Sequence, residues 1–564
     1  MPKVTFLPSG RSVEVGEGET FLEAYWRAGL PPFSDCGGKG ICGKCRIRFL
    51  GEPPPASSVE NDLLSPVALG AGYRLACQHR VTANTVVEVV PGVGGRIVWR
   101  LEAEMARGTE FDPPVQRDAE GSGILLDGRR LDCFTSPDRP LLGAALDIGT
   151  TTLSGYLLNL ETGVQEAALS LWNPQAAYGA DVISRIGFCM EREGGLELLQ
   201  DTVLSGLNQL IGELLRQAGR GEGDIYHLSV AGNPTMLHLF LGSDPAPISL
   251  APYQPRFKER QIVEAASLGL RASPCAVVET LPLVSGYVGA DTMAMALFLR
   301  LDRRGEACLA IDVGTNGEIL LSRGGEVYAC SAAAGPAFEG ARISCGMRAE
   351  PGAIDSVSLD AENGLVRVHT IGDAGPRGVS GSGLVSVVAA LLDERLLSPS
   401  GRFPPGDSTP ARWAAHFRNE GMEREFVLSP DGAEGSRPAV VLTQRDVREL
   451  QLAKAAIAAG IRRLLDYAGS SPREVEHVYL AGAFGSHLDP EASIRIGLLP
   501  GVSRGRVVPI GNAAGAGAKM VLYSCGMRDV AMRLAEDIHY IELSADPAFN
   551  DLFVKEMDFP ASGC

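Results

Sequence analysis

The residues with the most chemical character are four cysteines near the start of the chain. Cys36, Cys42, Cys45 and Cys77 form C-x5-C-x2-C followed by a distant fourth. Four thiolates are the ligand set of an iron-sulfur cluster, and a compact loop supplying three of them with a fourth from elsewhere suits that chemistry. The loop runs Cys36-Gly37-Gly38-Lys39-Gly40-Ile41-Cys42-Gly43-Lys44-Cys45. Its glycines let the backbone close around a cluster and aim N–H groups at the sulfurs. Zinc sites usually present two short cysteine pairs, whereas here the first spacing is long and the last ligand stands alone. Four buried structural thiols are the plainer alternative. The other eight of the twelve cysteines are scattered, so no disulfide framework is expected and the pattern favours metal ligation in a reducing compartment.

A second constellation occurs twice. Asp147-Ile148-Gly149-Thr150-Thr151-Thr152 turns directly into an apolar run, Leu153 to Leu158, which predicts a hairpin rather than a strand-to-helix turn. No Walker-type glycine-lysine loop occurs. Gly149 permits close approach of backbone to phosphate, the three threonines offer hydroxyl and N–H donors, and Asp147 can hold Mg2+ through water. Asp312, Gly314, Thr315, Asn316 and Gly317 repeat the device, and Val230-Ala231-Gly232-Asn233 recurs in the same order as Leu480-Ala481-Gly482-Ala483. One such turn is weak evidence; a pair in a duplicated frame reads as two hairpins clamping a triphosphate between two lobes.

The cysteine loop, with Arg74-Leu75-Ala76-Cys77-Gln78, resembles a [2Fe-2S] ferredoxin domain with the first spacing of the adrenodoxin-like branch. The absence of a C-x2-C-x2-C run disfavours a four-iron cluster. The paired hairpins resemble those of the superfamily of actin, sugar kinases and heat-shock chaperone ATPases. Within it, Gly378-Val379-Ser380-Gly381-Ser382-Gly383-Leu384 and Leu480-Ala481-Gly482-Ala483-Phe484-Gly485 look like adenosine-contacting turns, which makes Gly381, Ser382, Gly383, Gly482 and Ala483 nucleotide contacts. The simpler reading of both is a tight strand-helix turn.

Ferredoxin domain first and actin-like ATPase second resembles the reductive activators of corrinoid-dependent methyltransferases. Matching segments are Asn173-Pro174-Gln175, Tyr178 to Ile186, Gly286 to Asp291, Ala334 to Gly340 and Leu450 to Lys454. The resemblance implies a [2Fe-2S] cluster on Cys36, Cys42, Cys45 and Cys77. It also implies ATP, with Mg2+ and water organised by Asp147 and Asp312 and Glu339 as a weaker candidate for positioning water. The implied activity is ATP-dependent conversion of inactive Co(II) to Co(I) in a corrinoid protein or corrinoid-dependent methyltransferase, fed by a low-potential electron donor, with a homodimer left open. Some such activators carry four-iron clusters near the C-terminus, but only Cys525 and Cys564 lie beyond residue 500, so no second cluster is expected. Three other readings stay open: an activator of another metalloenzyme, a small-molecule kinase with a regulatory ferredoxin domain, and a binding module whose nucleotide site only gates assembly.

These groups must be positioned by more than one core, since 564 residues exceed what a single core usually serves. The class expected is α/β multidomain: a β-grasp [2Fe-2S] domain over 1–92, a linker over 93–140, and a duplicated actin-like (ribonuclease H-like) ATPase with lobes over 141–300 and 301–564. An insertion is expected near 355–440. In the first segment strands are predicted over Val4 to Leu7, Ser12 to Val15, Arg46 to Leu50 and Thr85 to Val90, with a helix over Thr20 to Ala28 opened by the capping box Thr20 and Glu23. A short helix over Trp99 to Ala106 and longer ones over Gly195 to Gln217, Gly383 to Leu397 and Arg445 to Leu465 complete the pattern. The formal charge of -17 argues against a nucleic-acid partner, and the first 92 residues are balanced, so the remainder carries the whole acidic excess. No stretch approaches the roughly 18 uninterrupted apolar residues of a membrane span, and the start lacks a signal-peptide core, so a cytoplasmic protein is expected.

Overall fold

The computed structural model describes residues 2–7, 10–16, 18–28, 45–64, 69–70, 72–89, 110–121, 123–134, 136, 138–420, 423–430, 438–485, 487–503 and 505–561. Cys36, Cys42 and the helix expected over Trp99 to Ala106 lie outside the described residues.

The first unit is a five-stranded sheet of β1 (Lys3–Leu7), β2 (Arg11–Glu14), β3 (Arg46–Phe49), β4 (Tyr73–Leu75) and β5 (Thr85–Val89), in the order β2-β1-β5-β3-β4. The outer chain ends meet at its centre, where β1 and β5 run parallel. The helix Phe21–Arg27 lays Phe21, Leu22, Ala24 and Tyr25 on a core with Val4, Phe6, Ile47 and Val87, as the β-grasp reading requires. Its start is fixed where expected. The Thr20 N–H donates to Glu23 at 2.8 Å, and the Glu23 N–H donates to the Thr20 hydroxyl at 3.2 Å.

The connector holds more structure than its glycines suggested. β6 (Val115–Arg117), β7 (Gly123–Leu126) and β8 (Arg129–Phe134) form a small antiparallel sheet. Leu126 pairs with Arg129 across Asp127 at φ 52° and Gly128 at φ 73°, the left-handed pair that a two-residue hairpin turn demands. Val115 and Ile124 are buried in the same core as the first lobe.

That lobe is the sheet β11-β10-β9-β12-β14-β13, built from β9 (Leu142–Ile148), β10 (Thr152–Asn159), β11 (Gln165–Trp172), β12 (Ile225–Gly232), β13 (Ile262–Glu264) and β14 (Val277–Thr280). The second lobe opens with β15 (Ala307–Val313), β16 (Gly317–Arg323) and β17 (Glu326–Ala332). The insertion follows as β18 (Ala353–Asp360), β19 (Leu365–Thr370) and β20 (Gly378–Val379) in one three-stranded sheet. A second three-stranded sheet holds β21 (Phe417–Glu420), β22 (Glu423–Ser429) and β23 (Val440–Thr443). β24 (Val475–Ala481), β25 (Val507–Gly511) and β26 (His539–Tyr540) complete the main sheet as β25-β24-β15-β16-β17-β26. The duplication read from the sequence is a duplication of pairing. β9 forms a hairpin with β10 and runs parallel to β12; β15 forms a hairpin with β16 and runs parallel to β24. Even the register repeats, with Asp147 beside Ala231 and Asp312 beside Ala481.

Helix Gly195–Ala218 buries Leu199, Val203, Leu207, Leu210 and Leu214, a stripe at helical spacing, and ends at Gly219 in the left-handed region. Helix Gln444–Tyr467 is capped by Thr443, whose hydroxyl accepts from the Asp446 N–H while Asp446 accepts from the Thr443 N–H. After β25 the chain crosses back: helices Ala513–Tyr523 and Cys525–Asp537 leave the second sheet and bury their apolar faces in the first lobe's core. Ala513–Tyr523 packs on helix Ala290–Leu299 so closely that a Cβ on Gly517 would lie 2.2 Å from the Ala294 carbonyl oxygen. Cys275 is disulfide-bonded, whereas Cys189, Cys308, Cys330, Cys345 and Cys525 are free. Burial raises the Cys330 and Cys345 thiols, which keeps both protonated and inert. Among the described residues no helix is long and apolar enough to cross a membrane.

Candidate functional site

Antiparallel β3 and β4, with Arg46 opposite Leu75, bring Cys45 and Cys77 to the same end of the sheet. The Ala76 N–H donates to the Cys45 carbonyl at 2.7 Å and pins the two segments together. The two Sγ atoms are 3.4 Å apart, far beyond the roughly 2 Å of a disulfide. Two thiolates on one tetrahedral metal ion, each about 2.3 Å from it, sit roughly 3.8 Å apart. The described half of the cysteine set therefore fits an iron centre. Gln78 adds an N–H donor, its Nε2 lying 3.4 Å from the Cys77 Sγ.

The two hairpins face one another across a cavity of about 220 Å3. Asp147, Gly149, Thr150, Thr151 and Thr152 line it from the first lobe; Asp312, Gly314, Thr315 and Asn316 line it from the second. Gly381, Ser382 and Gly482 form a further wall, where the Phe338 and Phe484 rings lie 5.5 Å apart. Among the described residues, Gly317 and Gly383 do not line it. A Cβ on Gly317 would meet Ile457 at 2.7 Å, and one on Gly383 would meet the Ile354 carbonyl at 2.1 Å, so close packing explains both glycines. Ala483 sits in the helical turn Gly482–Gly485.

Glu339 ties the hairpins to each other. It accepts from the Thr151 hydroxyl at 2.7 Å and from the Thr315 hydroxyl at 2.6 Å, one carboxylate oxygen for each lobe. The first hairpin is also held from behind. Asn173 donates to the Gly149 carbonyl at 2.8 Å, Asn233 donates to the Thr150 hydroxyl at 3.0 Å, and fully buried Arg185 donates to the Thr150 carbonyl at 2.5 Å. With the carbonyls drawn backwards and the Gly149 N–H donating to the Thr152 carbonyl at 2.9 Å, the Thr150 and Thr151 N–H groups are left for an anion in the cavity. Gly482 has φ 87°, and a Cβ there would lie 2.2 Å from Asp312 Oδ1, so this glycine makes room for the carboxylate.

Five carboxylates reach the cavity: Asp147, Asp291, Asp312, Glu318 and Glu339. Removal from bulk water pushes Asp147 and Asp312 up to about 7, and neighbouring carboxylates, Asp291 above all, push the same way. Burial raises Asp291 as well, and burial together with Asp291 and Asp312 raises Glu318 well above its ordinary value. Asn512 opposes the trend at Asp147, donating to its Oδ2 at 2.8 Å. No group of three or more acidic, histidine or cysteine side chains among the described residues is arranged to grip a metal ion directly. Such a cavity suits a hydrated divalent cation carried in with an anion, held by carboxylates through water.

A pH dependence follows. A carboxyl whose folded-state pKa exceeds its unfolded value adds stability when protonated, in full below about pH 4, and the contribution is lost as pH rises through 7. The ligand-free protein is expected to melt at a higher temperature at pH 6 than at pH 8, with Mg-nucleotide removing the difference. Melting curves across that range, with and without ligand, check it; a ligand-free melting temperature unchanged between pH 6 and 8 would contradict the assignment.

Asp291, Glu318, Asn233, Asn512, Arg348 and Trp172 were not singled out as site residues in the sequence reading, yet all line the cavity. One signal was available for Glu318. It stands at the repeat position of Leu153, an acid where the duplicated strand has an apolar residue. His487 lines the cavity too.

Three stretches of the chain match models of known families. Residues 306–564 match the family described as the C-terminal domain of RACo, the ASKHA domain; residues 142–304 match the RACo middle region; residues 4–82 match the 2Fe-2S iron-sulfur cluster binding domain. The corrinoid activation enzyme RamQ of Eubacterium limosum is 35% identical over 441 residues, 77% of this chain and 74% of that protein. The Co(II) methylated amine-specific corrinoid protein reductase of Methanosarcina barkeri is 25% identical over 459 residues, 75% of this chain and 78% of that protein. A solved structure of a reductive activator for corrinoid, iron-sulfur protein superposes with a TM-score of 0.72 at 31% identity, covering 100% of this chain and 99% of that one.

Proposed function

The chain belongs to the family of reductive activators of corrinoid proteins, and we propose that its two chemical units divide that task between them. The activity is reduction of a corrinoid protein whose cobalt has slipped from Co(I) to Co(II), driven by ATP. The single observation that carries this reading is the pair of duplicated hairpins enclosing one acid-lined cavity in a chain that begins with the four-cysteine domain.

Cys36, Cys42, Cys45 and Cys77 would hold the [2Fe-2S] cluster, which when bound supplies a one-electron carrier. Cys45 and Cys77 are prearranged by the β3–β4 pairing, and Gln78 offers a hydrogen bond that favours added negative charge on a thiolate. A low-potential donor would deliver the electron, and this chain would pass it to the corrinoid partner.

Returning cobalt to Co(I) is uphill for ordinary donors, so a second free-energy source is required. A nucleotide can shift the acceptor only by as much as it favours one complex over another. In the reading proposed here, Mg-ATP enters between the hairpins. Asp147 and Asp312 orient the hydrated Mg2+, and backbone and hydroxyl groups of Thr150, Thr151, Thr315 and Asn316 take the phosphates. Ser382 and the turn at Gly482 border the adenosine. Glu339 then has two tasks: its bonds to Thr151 and Thr315 join the two hairpins, and a bound triphosphate competes for those same hydroxyls, freeing the carboxylate to orient water. Hydrolysis resets the complex.

The test is an anaerobic spectrum of the protein mixed with a Co(II) corrinoid protein, reductant and ATP. Co(I) absorption should grow with ATP and stay absent with ADP. Equal growth with both nucleotides would sink the coupling. Replacing Glu339 by Gln should lower ATP turnover about 10–100-fold, within the range of a water-positioning group, with nucleotide affinity less affected.

A further inference from the structure

The carboxylate-lined cavity must receive a polyanion, which raises the question of what positive charge the protein itself supplies. Among the described residues lining it, Arg348 is the one permanently cationic side chain; His487 also lines it, and burial lowers its pKa, so it is neutral. Arg185 lies behind the first hairpin and does not reach the cavity. Arg348 belongs to the second lobe but rests against the first, its guanidinium carbon 4.5 Å from the centre of the Trp172 ring. Among the described residues no carboxylate forms an ion pair or hydrogen bond with it, even in a cavity that holds five, although Glu350 two positions on feels its charge. An aromatic face is a weaker and more easily exchanged partner for a guanidinium than a phosphate oxygen.

The position of this contact along the cavity says which part of a nucleotide it would meet. Trp172 ends β11, pairs directly with Thr152, and is followed by Asn173, whose N–H donates to the Thr151 carbonyl at 2.9 Å. Trp172 therefore flanks the phosphate hairpin of the first lobe. On the other side the arginine's neighbour Met347 is pinned by its N–H to the Val379 carbonyl at 2.9 Å, immediately before the turn at Ser380 and Gly381. The loop thus spans from the adenosine wall of one lobe to the phosphate turn of the other.

We propose that Arg348 distinguishes ATP from ADP: from its contact with Trp172 it moves to the terminal phosphate when ATP binds and draws the second lobe onto the first. This rests on the nucleotide reading above. A guanidinium supplied from one lobe to a phosphate held by the other makes closure depend on the last phosphate, which is the property a nucleotide-driven activator needs. ADP ends short of it and leaves the arginine on the indole.

The experiment uses the full chain and measures equilibrium binding of Mg-ADP and of a non-hydrolysable Mg-ATP analogue, with tryptophan emission followed in the same titrations. For the unmodified protein the analogue should bind at least about 10-fold tighter than ADP and change the emission, and the emission change should be absent from Trp172→Phe. Arg348→Ala should bring the two affinities to within about 3-fold, chiefly by weakening the analogue, and Arg348→Lys should restore part of the preference. An Arg348→Ala protein that keeps the full preference overturns the assignment while leaving nucleotide binding intact. An emission change that persists in Trp172→Phe overturns the contact with Trp172. Failure of the unmodified protein to bind either nucleotide overturns the nucleotide reading itself, and this inference with it.

Discussion

Cys77→Ser is expected to strip the protein of iron and to cut ATP-dependent formation of Co(I) by at least about 100-fold, the upper end of what loss of a mere supporting contact to a metal site costs. A hydroxyl replaces the thiolate in nearly the same volume, so the β-grasp core built on Val4, Phe6, Ile47 and Val87 is left undisturbed. Cys45→Ser should behave alike, because its sulfur lies 3.4 Å from that of Cys77 and serves the same end of the sheet. Nucleotide binding, housed in the two lobes, should be unchanged in both. Iron content, the visible spectrum of anaerobically prepared protein and a nucleotide titration read all three quantities. Cys189→Ser supplies the control, since Cys189 lies on helix Val182–Glu191 in the first lobe and should leave iron content at the level of the unmodified protein. Full corrinoid reduction by iron-free Cys77→Ser would dispose of the electron route.

The second large effect is expected at Asp312. Asp312→Asn should lower ATP turnover about 100- to 1,000-fold, the loss typical when a preorganised charged group at a reacting phosphate is removed. Gly482→Ala should approach that loss without touching the carboxylate's chemistry. Its Cβ would lie 2.2 Å from Asp312 Oδ1, and at φ 87° the backbone cannot relax cheaply around a side chain. The two changes act through one group, so the double variant should be little worse than Asp312→Asn alone, a strongly non-additive cycle. Steady-state phosphate release for the four proteins measures it. Simple multiplication of the two effects would mean that Gly482 matters for some reason other than the space it leaves.

What could be read in advance was whatever depends on short spacing. The capping boxes at Thr20 and Thr443, the hairpins after Asp147 and Asp312, and the parallel partners at Ala231 and Ala481 are local patterns, and each is present in the fold. What escaped depends on the chain's return. Asn512 meets Asp147 across 365 positions of sequence, and nothing near Asn512 announces that partner. Asp291 sat in a segment quoted for its resemblance, but its convergence with Asp147 and Asp312 is a property of how helix Ala290–Leu299 is docked, not of its spacing. Gly317 and Gly383 show the converse. A glycine beside a phosphate turn and a glycine under a packed side chain look the same in a string of letters, and only the atoms a Cβ would strike tell them apart.

The crossing of helices Ala513–Tyr523 and Cys525–Asp537 into the first lobe's core has a practical corollary. A gene cut between Arg304 and Ala307 would sever the polypeptide without separating the bodies, because the upstream fragment would lack the helices that complete its interior and the downstream one would carry them bare into water. The upstream half expressed alone should be insoluble and recover only when the downstream half is made in the same cell. For the same reason the two halves of the clamp cannot be drawn apart without opening the first lobe's interior to water.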